Sequence, residues 1–317
     1  MHSTLAINIG GSTVKWAWFT AAPTAPVSAQ TMPTPMMRGG FHDFLADMAC
    51  PGMRQPDRVC IGFPGPVDAH GRVSSACTWA PGENLGDFDI AAEVGRVWPQ
   101  ARTSVINDVS AYGCFLLRER YQDFCVLNIG SGIGSKLYAG GRQLLGPGSR
   151  GGEIGHWVDA AIPAELRCDC GGAQHIGGMS SGRGVLRYVQ LQAQLHPEQY
   201  ARSRLSLAAP QPAQLTAFDI VATVQDPFTR SLVAQALAPL ARAAALIHLA
   251  SGCECFVLVG GFAEALGQLL PAVLAESSAA HCWANGFDWQ GAYSVLPNEV
   301  SASLIGLYWH EAQHDHA

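Results

Sequence analysis

Apolar positions along the chain fall into short alternating or wholly apolar runs and longer runs with a period near 3.6. Residues 5–9 and 13–19 read as two strands around the turn "GGST". The second alternates, with Val14, Trp16 and Trp18 on one face and Lys15, Ala17 and Phe19 on the other. "GGFHDFLADMA" (39–49) predicts a helix, "RVCIGFPG" a buried strand ending in a glycine-proline loop, and "IAAEVGRVW" (90–98) another helix. "SVIND" is a short strand leading into the helical pattern "VSAYGCFLLRERY". The same parts then return: "FCVLNIGSGIGSKLYAGG" (124–141) is strand, glycine turn, strand. Residues 145–183 are glycine-rich and irregular, and a loop of that length calls for a staple or a function. Helices are expected around 183–195 and 229–251, and "CFVLVGG" (255–261) is a buried strand followed by a helix. "PNEVSASLIGLYWHEAQ" closes the chain as a helix. "LHPEQYARSRLSLAAPQPAQL", rich in proline and polar residues, reads as a surface excursion.

The glycine-turn hairpin thus occurs twice, at 5–19 and 124–139, which suggests two related halves; no short-period repeat indicates a solenoid. With 317 residues, 48% of them hydrophobic, the chain can form one large domain or two ordinary ones. A net charge of −6 gives no support for binding nucleic acid or an anionic membrane. "MHSTLAINIGG" lacks the regions of a signal peptide, and the run "LAPLARAAALIHLA" is interrupted by Arg242 and shorter than a bilayer span, so a cytoplasmic protein is expected. In that compartment most of the ten cysteines are buried thiols or metal ligands, with Cys60, Cys114 and Cys125 read as core. The only two lysines, Lys15 and Lys136, both lie beside glycine loops, which is equally consistent with chance in a chain of seventeen arginines.

In register, "INIGGSTVK", "IGFPGPVD", "VIND", "IGSGIGSKLYAGG", "GEIGH", "CDCGG" and "LVGG" resemble the ROK family (repressors, open reading frames and kinases) of the actin-like, hexokinase-like ATPase superfamily. The resemblance runs from about Leu5 to Gly306. It implies an α/β fold of two lobes, each with a mixed sheet from a duplicated core, and ATP and sugar bound in the cleft between them. The small lobe would hold 1–108 plus the C-terminal helix 299–317, and the large lobe 109–298, with a zinc loop and the nucleotide site.

The resemblance also implies roles for particular residues. Asp108 would be the base that accepts the proton of the sugar hydroxyl as it attacks the γ-phosphate, and Asn107 would orient the ring. Read without the family, Asn-Asp after a strand is a helix cap. Glu153, His156 and the backbone of Gly65 would hold sugar hydroxyls. Gly10, Gly11, Ser12, Thr13 and Lys15 in the first turn would contact the nucleotide phosphates. So would Gly130, Ser131, Gly132 and Gly134 in the second turn, while Gly260 and Gly261 would allow close approach at the adenosine side. His156, Cys168, Cys170 and His175 match a structural zinc site whose last ligand is usually cysteine; two thiolates and two imidazoles remain a sensible tetrahedral set. Gln174 replaces the usual glycine before that ligand, which predicts a different bend.

Two further departures stand out. Asn8 occupies the place of an aspartate that organises Mg²⁺, keeping the shape without the charge. Gly177 occupies the place of a glutamate that contacts the sugar, which is expected to leave room for a substituent such as an amine or a glycoside. The leading expectation is an ATP- and Mg²⁺-dependent sugar kinase of glucokinase type, a homodimer or homotetramer by resemblance. The alternative is an impaired sugar-binding or regulatory protein. ROK repressors carry a helix-turn-helix ahead of the first hairpin, and only four residues precede Leu5, so DNA reading by that module is not expected. Polyphosphate as the donor is a third reading that nothing in the residues selects.

Overall fold

The computed structural model describes residues 3–314 apart from 24–27, 35–36, 50–54, 69, 74, 81–84, 87, 147–149, 284–285 and 298. The first half contains β1 (Thr4–Ile9), β2 (Thr13–Phe19), β3 (Gln30–Pro33), α1 (Met37–Met48), β4 (Arg58–Phe63), β5 (Arg72–Val73), β6 (Phe88–Asp89), α2 (Ile90–Val97), β7 (Arg102–Asn107) and α3 (Asp108–Arg118). There follow β8 (Phe124–Ile129), β9 (Ile133–Ala139), β10 (Arg142–Gln143), α4 (Ile176–Ser180), α5 (Gly182–Leu195), α6 (Pro197–Arg202), α7 (Arg204–Ala208), α8 (Ala217–Thr223) and α9 (Pro227–Ser251). The chain ends with β11 (Phe256–Val259), α10 (Gly261–Leu266), α11 (Leu269–Ala279), α12 (Trp289–Ala292), β12 (Tyr293–Val295) and α13 (Glu299–His314).

Two five-stranded sheets share one plan. Their orders are β3-β2-β1-β4-β7 and β10-β9-β8-β11-β12, and in each the glycine hairpin joins parallel strands through its first member. The repeated hairpin in the sequence therefore corresponds to a repeated sheet. Packing divides the chain into a first unit of 1–122, 136–152 and 298–317, and a second of 123–135 and 153–297. The expected division after residue 108 falls inside the first unit, because α3 packs on α13: a Cβ at Gly306 would lie 1.8 Å from the Ala111 carbonyl oxygen, so the helices meet there at backbone distance. Of the expected terminal helix 299–317, residues 315–317 lie outside the described residues.

Alternation along β1 and β2 explains the first unit's two packed faces. Leu5, Ile7, Ile9 and Val14 join Phe41, Phe63, Trp79 and Phe88 in one core. Ala6, Ala17, Phe19 and Cys60 face Ala111, Leu304 and Leu307 on the other side. Small residues at 6, 17 and 60 let the helices sit close, and burial pushes the Cys60 thiol up to about 12, as befits a core residue. Cys125 is also buried, whereas Cys114 is only half-buried.

The segment 195–215 is mostly exposed, as a surface excursion should be, and is ordered as α6 and α7, with Tyr200, Leu205 and Ala209 buried beneath their outer faces. One expectation about the second unit needs correction. Helix α9, at 25 residues, is long and apolar enough to cross a bilayer, contrary to the estimate from its Arg242-interrupted run. Its Leu232, Val233, Leu237 and Leu240 are instead buried, and it packs on α4, α5 and α11. Arg242 is accommodated by an ion pair with Asp159 at 2.6 Å.

Candidate active site and metal centre

In the first unit the candidate residues gather at the carboxyl ends of β1, β4 and β7. Strand register places Asn8 opposite Gly62, and Phe63 opposite Asn107. A Cβ at Gly62 would lie 2.4 Å from Asn8 Oδ1 and 3.4 Å from Asp108 Cα, so glycine alone leaves room for the Asn8 side chain beside the start of α3. Asn8 is 4% exposed, and its Oδ1 is buried without a hydrogen-bond partner. An orphan acceptor in that setting is costly in isolation, which marks the position as one made for something else.

Asp108 is the first residue of α3 and is buried. Asn107 caps the helix: its Oδ1 accepts from the N–H groups of Val109 and Ser110 at 3.0 and 3.3 Å. Its Nδ2 donates to the Gly65 carbonyl at 2.9 Å and to Asp108 Oδ1 at 3.1 Å. Both acceptor and both donor positions of this amide are thus engaged within the protein. Asn107 thus caps α3 and ties the Asp108 carboxylate to the "GFPG" loop. Gly65 has φ +102°, and a Cβ there would lie 2.1 Å from the Ser75 carbonyl oxygen, so no other residue fits.

The turn after β1 is held by the Gly10 N–H on the Thr13 carbonyl at 2.9 Å. Thr34 pins it further: its Oγ1 donates to Gly10 O at 2.7 Å and its N–H to Ser12 O at 3.0 Å. Nothing in the sequence singled out Thr34. Gly10 and Gly11 are half-buried, Ser12 and Thr13 are exposed, and Lys15 lies directly across from Asn8 on the same face of the hairpin.

The second unit brings together the other candidates. The turn after β8 closes with the Gly130 N–H on Gly132 O at 3.1 Å, with Ser131 at its corner and Gly134 next along in β9. Gly260, at φ +101°, packs where a Cβ would meet Asn128 Oδ1 at 2.3 Å and the Ile129 backbone at 2.8 Å; Gly261 starts α10. The "GEIGH" segment forms a single 3-10 turn, Ile154–His156, with Glu153 at its start. It lies against β9, because a Cβ at Gly155 would be 2.4 Å from Ile133 O.

His156, Cys168, Cys170 and His175 converge, with all four donor atoms within 4.8 Å of one another. Nδ1 of His156 is 3.5 Å from Nδ1 of His175 and 3.9 Å from Cys168 Sγ, and Cys170 Sγ is 3.2 Å from His175 Nδ1. A tetrahedron with metal–nitrogen bonds of about 2.0–2.1 Å and metal–sulfur bonds of about 2.3 Å has edges of roughly 3.3–3.8 Å; the three closest separations lie near that range, the full set spreads wider, and two thiols with two imidazoles are donor types that suit zinc. Burial, and then the neighbouring His156, lower the pKa of His175, which favours the neutral imidazole that a metal needs. Gly172 is required here, since a Cβ would lie 2.2 Å from the His175 ring.

Gln174 takes a backbone conformation unusual for a residue with a side chain. It adopts φ +58°, the left-handed conformation a glycine takes readily, and its amide donates to the carbonyls of Ala160 and Ile162 at 3.3 and 3.2 Å, which offsets the strain. Gly177 does not open space at its own Cβ position either: Gly155 O would lie 3.2 Å away and Cys168 Sγ 3.6 Å. The absent side chain is filled by the "GEIGH" turn, so this glycine serves close packing of α4. Lys136, noted only for its rarity, is buried and donates to Gly151 O at 2.8 Å.

Set beside known proteins, these features agree with a single family. The ROK family profile matches residues 4–298. The chain belongs to the ROK family. A C(7)-cyclitol 7-kinase of Streptomyces hygroscopicus subsp. limoneus is 32% identical over 242 residues, covering 74% of this chain and 67% of that protein. An N-acetylmannosamine kinase of Escherichia coli O157:H7 is 27% identical, covering 88% and 90%. Among solved ROK structures, a glucokinase from Streptomyces griseus in complex with glucose and AMPPNP superposes with a TM-score of 0.78 at 22% identity, covering 96% and 97%; it shares the actin-like α/β fold.

Proposed function

We propose that this protein transfers the γ-phosphate of ATP to a hydroxyl of a hexose or hexose derivative. It is an ATP-dependent sugar kinase of the ROK family. The observation that carries this reading is the Asp108 carboxylate, buried at the first turn of α3 and held by one N–H of the Asn107 amide, whose other bonds go to the Gly65 carbonyl and the first N–H groups of α3. Such a group is placed to take the proton from an attacking hydroxyl, and a binding protein has no use for it. The Gly65 carbonyl, fixed by the same amide, keeps the "GFPG" loop in register with the base. The regulatory alternative rests on Asn8 and Gly177, and Gly177 is accounted for by packing.

Mg²⁺ bound with ATP neutralises charge on the phosphates. Asn8, with its unpartnered Oδ1, and Lys15 across the hairpin are the first-unit groups suited to that end of the nucleotide. We assign zinc to His156 Nδ1, His175 Nδ1, Cys168 and Cys170 on the donor spacing. Zinc there staples the long irregular loop and sets the tautomer of His156, leaving Nε2 as the nitrogen directed at an acceptor hydroxyl. Glu153 would hold a second hydroxyl. The phosphate turns at 10–15 and 130–134 and the Gly260–Gly261 loop serve the nucleotide. On the family resemblance we place the enzyme in the cytoplasm as a homodimer or homotetramer, with no nucleic-acid or membrane partner.

The test is a panel of hexoses, amino sugars, β-glucosides and cyclitols with ATP and Mg²⁺, read as acceptor-dependent ADP release. Relatives named for a cyclitol and for N-acetylmannosamine put those acceptors in the panel. Binding of one acceptor without ADP release at any Mg²⁺ concentration would overturn the kinase reading in favour of the regulator.

A further inference from the structure

Asp169 lies between the two cysteines of the donor set and contributes no ligand atom to it. The Gly171 N–H donates to the Cys168 carbonyl at 2.8 Å, closing a four-residue turn with Asp169 and Cys170 at its corner. Two guanidinium groups hold the Asp169 side chain. Arg183 Nη1 donates to Oδ2 at 2.8 Å and Arg187 Nη1 to Oδ1 at 3.2 Å. The carboxylate is 15% exposed and the arginines 38% and 35%, so this is a half-sheltered pair rather than a solvated one. Among the described residues Arg187 Nε has no hydrogen-bond partner, and Asp169 is a polar contact that helps to orient this guanidinium. Residues 183 and 187 are one turn apart on α5 and therefore share a face.

The first turn of that helix reaches the nucleotide candidates. The Gly182 N–H donates to Gly130 O at 2.9 Å, and a Cβ at 182 would lie 3.0 Å from that oxygen and 3.2 Å from Phe262 Cβ. The start of α5 is thus wedged between the turn after β8 and α10. Ser181 locks the elbow between α4 and α5, its Oγ accepting from the Gly184 N–H at 3.0 Å and donating to Gly177 O at 2.6 Å. From Gly182 to Arg187 the helix rises only about 7.5 Å, too short a span to absorb a shift by bending.

We infer that Asp169, Arg183 and Arg187 are positioning residues that couple occupancy of the metal site to the nucleotide turn at Gly130. This rests on the zinc assignment above. A loaded metal site fixes the 168–171 turn and, through Asp169, the register of α5, whose first residue braces Gly130. Loss of the metal, or of the Asp169 contacts, frees α5 to move and loosens the turn. By reciprocity a nucleotide that seats on the turn tightens metal binding by the same factor.

The experiment measures zinc content of the purified full-length protein, then the equilibrium transfer of zinc to a colorimetric chelator with and without a non-hydrolysable ATP analogue. Wild type is expected to hold zinc about fivefold or more tightly with the analogue, within the usual range of coupling between sites. Asp169→Asn, and separately Arg183→Gln with Arg187→Gln, are expected to keep the zinc stoichiometry and the circular dichroism of wild type while abolishing that protection. They should also raise KM for ATP with little change in KM for the sugar. Transfer that ignores the analogue in zinc-loaded wild type overturns the coupling and leaves the zinc assignment standing. Protection that survives intact in both variants overturns the route through Asp169. A wild-type protein purified without zinc, and unable to take it up, overturns the zinc assignment and the coupling with it.

Discussion

Asn8 and Asn128 hold the same place in the two hairpins, each the second-last residue of a strand that runs into a glycine turn. Each side chain lies over a glycine whose Cβ would strike its Oδ1, at 2.4 Å for Gly62 and 2.3 Å for Gly260. Beyond that they part. Next to Gly62 stands the start of α3 with Asp108, and Asn8 Oδ1 is left without a partner. Next to Gly260 stands the Ile129 backbone, and the turn is braced by α5 through Gly182. One duplicated strand plan has therefore been given to two tasks, and the helix that meets each hairpin decides which. Where the helix begins with Asp108, the proposed function puts the chemistry; where it begins with Gly182, the helix braces the turn.

The sharpest way to break this division is Asp108→Asn. Phosphoryl transfer should fall by about 10³-fold or more, since general base catalysis contributes roughly 10²–10⁴. Sugar binding by calorimetry should be nearly unchanged because the hydrogen-bonding shape remains. Substantial residual turnover would remove Asp108 from the mechanism.

Metal loss should touch only the second region. Cys170→Ser is expected to lower zinc from about one per chain and to raise hydrogen exchange across 156–178, with weaker sugar binding and unchanged protection of β1, β4 and β7, because it removes one of the four donors that close the site. Uniform deprotection of both regions would show instead that the variant is globally unfolded.

The two glycines should respond differently to alanine. At Gly260 the φ of +101° and the rigid Ile129 backbone leave no escape, so thermal unfolding should reveal a loss of about 2–3 kcal/mol. At Gly62 the obstacle is the end of the Asn8 side chain, which can swing away; stability should fall by about 1 kcal/mol while kcat drops. Equal losses of stability with kcat intact at Gly62→Ala would erase the distinction drawn between the two hairpins.

Asn8→Asp is the one change expected to act as a gain. Restoring a charge beside the phosphates should tighten use of Mg²⁺·ATP, by about 1–3 kcal/mol or roughly tenfold and more in affinity or rate. A Mg²⁺ titration of ADP release reads it. A flat response in an active enzyme would show that Asn8 is not a compromise in metal handling, and a loss would mean that its amide makes a specific contact.

The residue pattern alone determined the strands around both glycine turns and the buried strands at 58–65 and 255–261, and the family resemblance picked out the Cys-x-Cys pair and two histidines that the fold brings together. These are local signals: alternation, turn glycines and metal-ligand types act within a few residues, so the chain states them outright. Tertiary structure decided what depends on partners far apart in sequence. Asn107 reads equally as a cap or as a site residue until Gly65 is seen 42 positions back. Gln174 reads as an altered bend until the carbonyls of Ala160 and Ile162 support its left-handed backbone. Gly177 reads as lost chemistry until the Gly155 carbonyl is found in its Cβ space, and Thr34 and Asp169 carry no signal until Gly10 and α5 come to lie against them. The physical reason is the same throughout: a side chain's role is set by which donors, acceptors and atoms packing places within about 3–4 Å of it, and those neighbours come from distant parts of the chain.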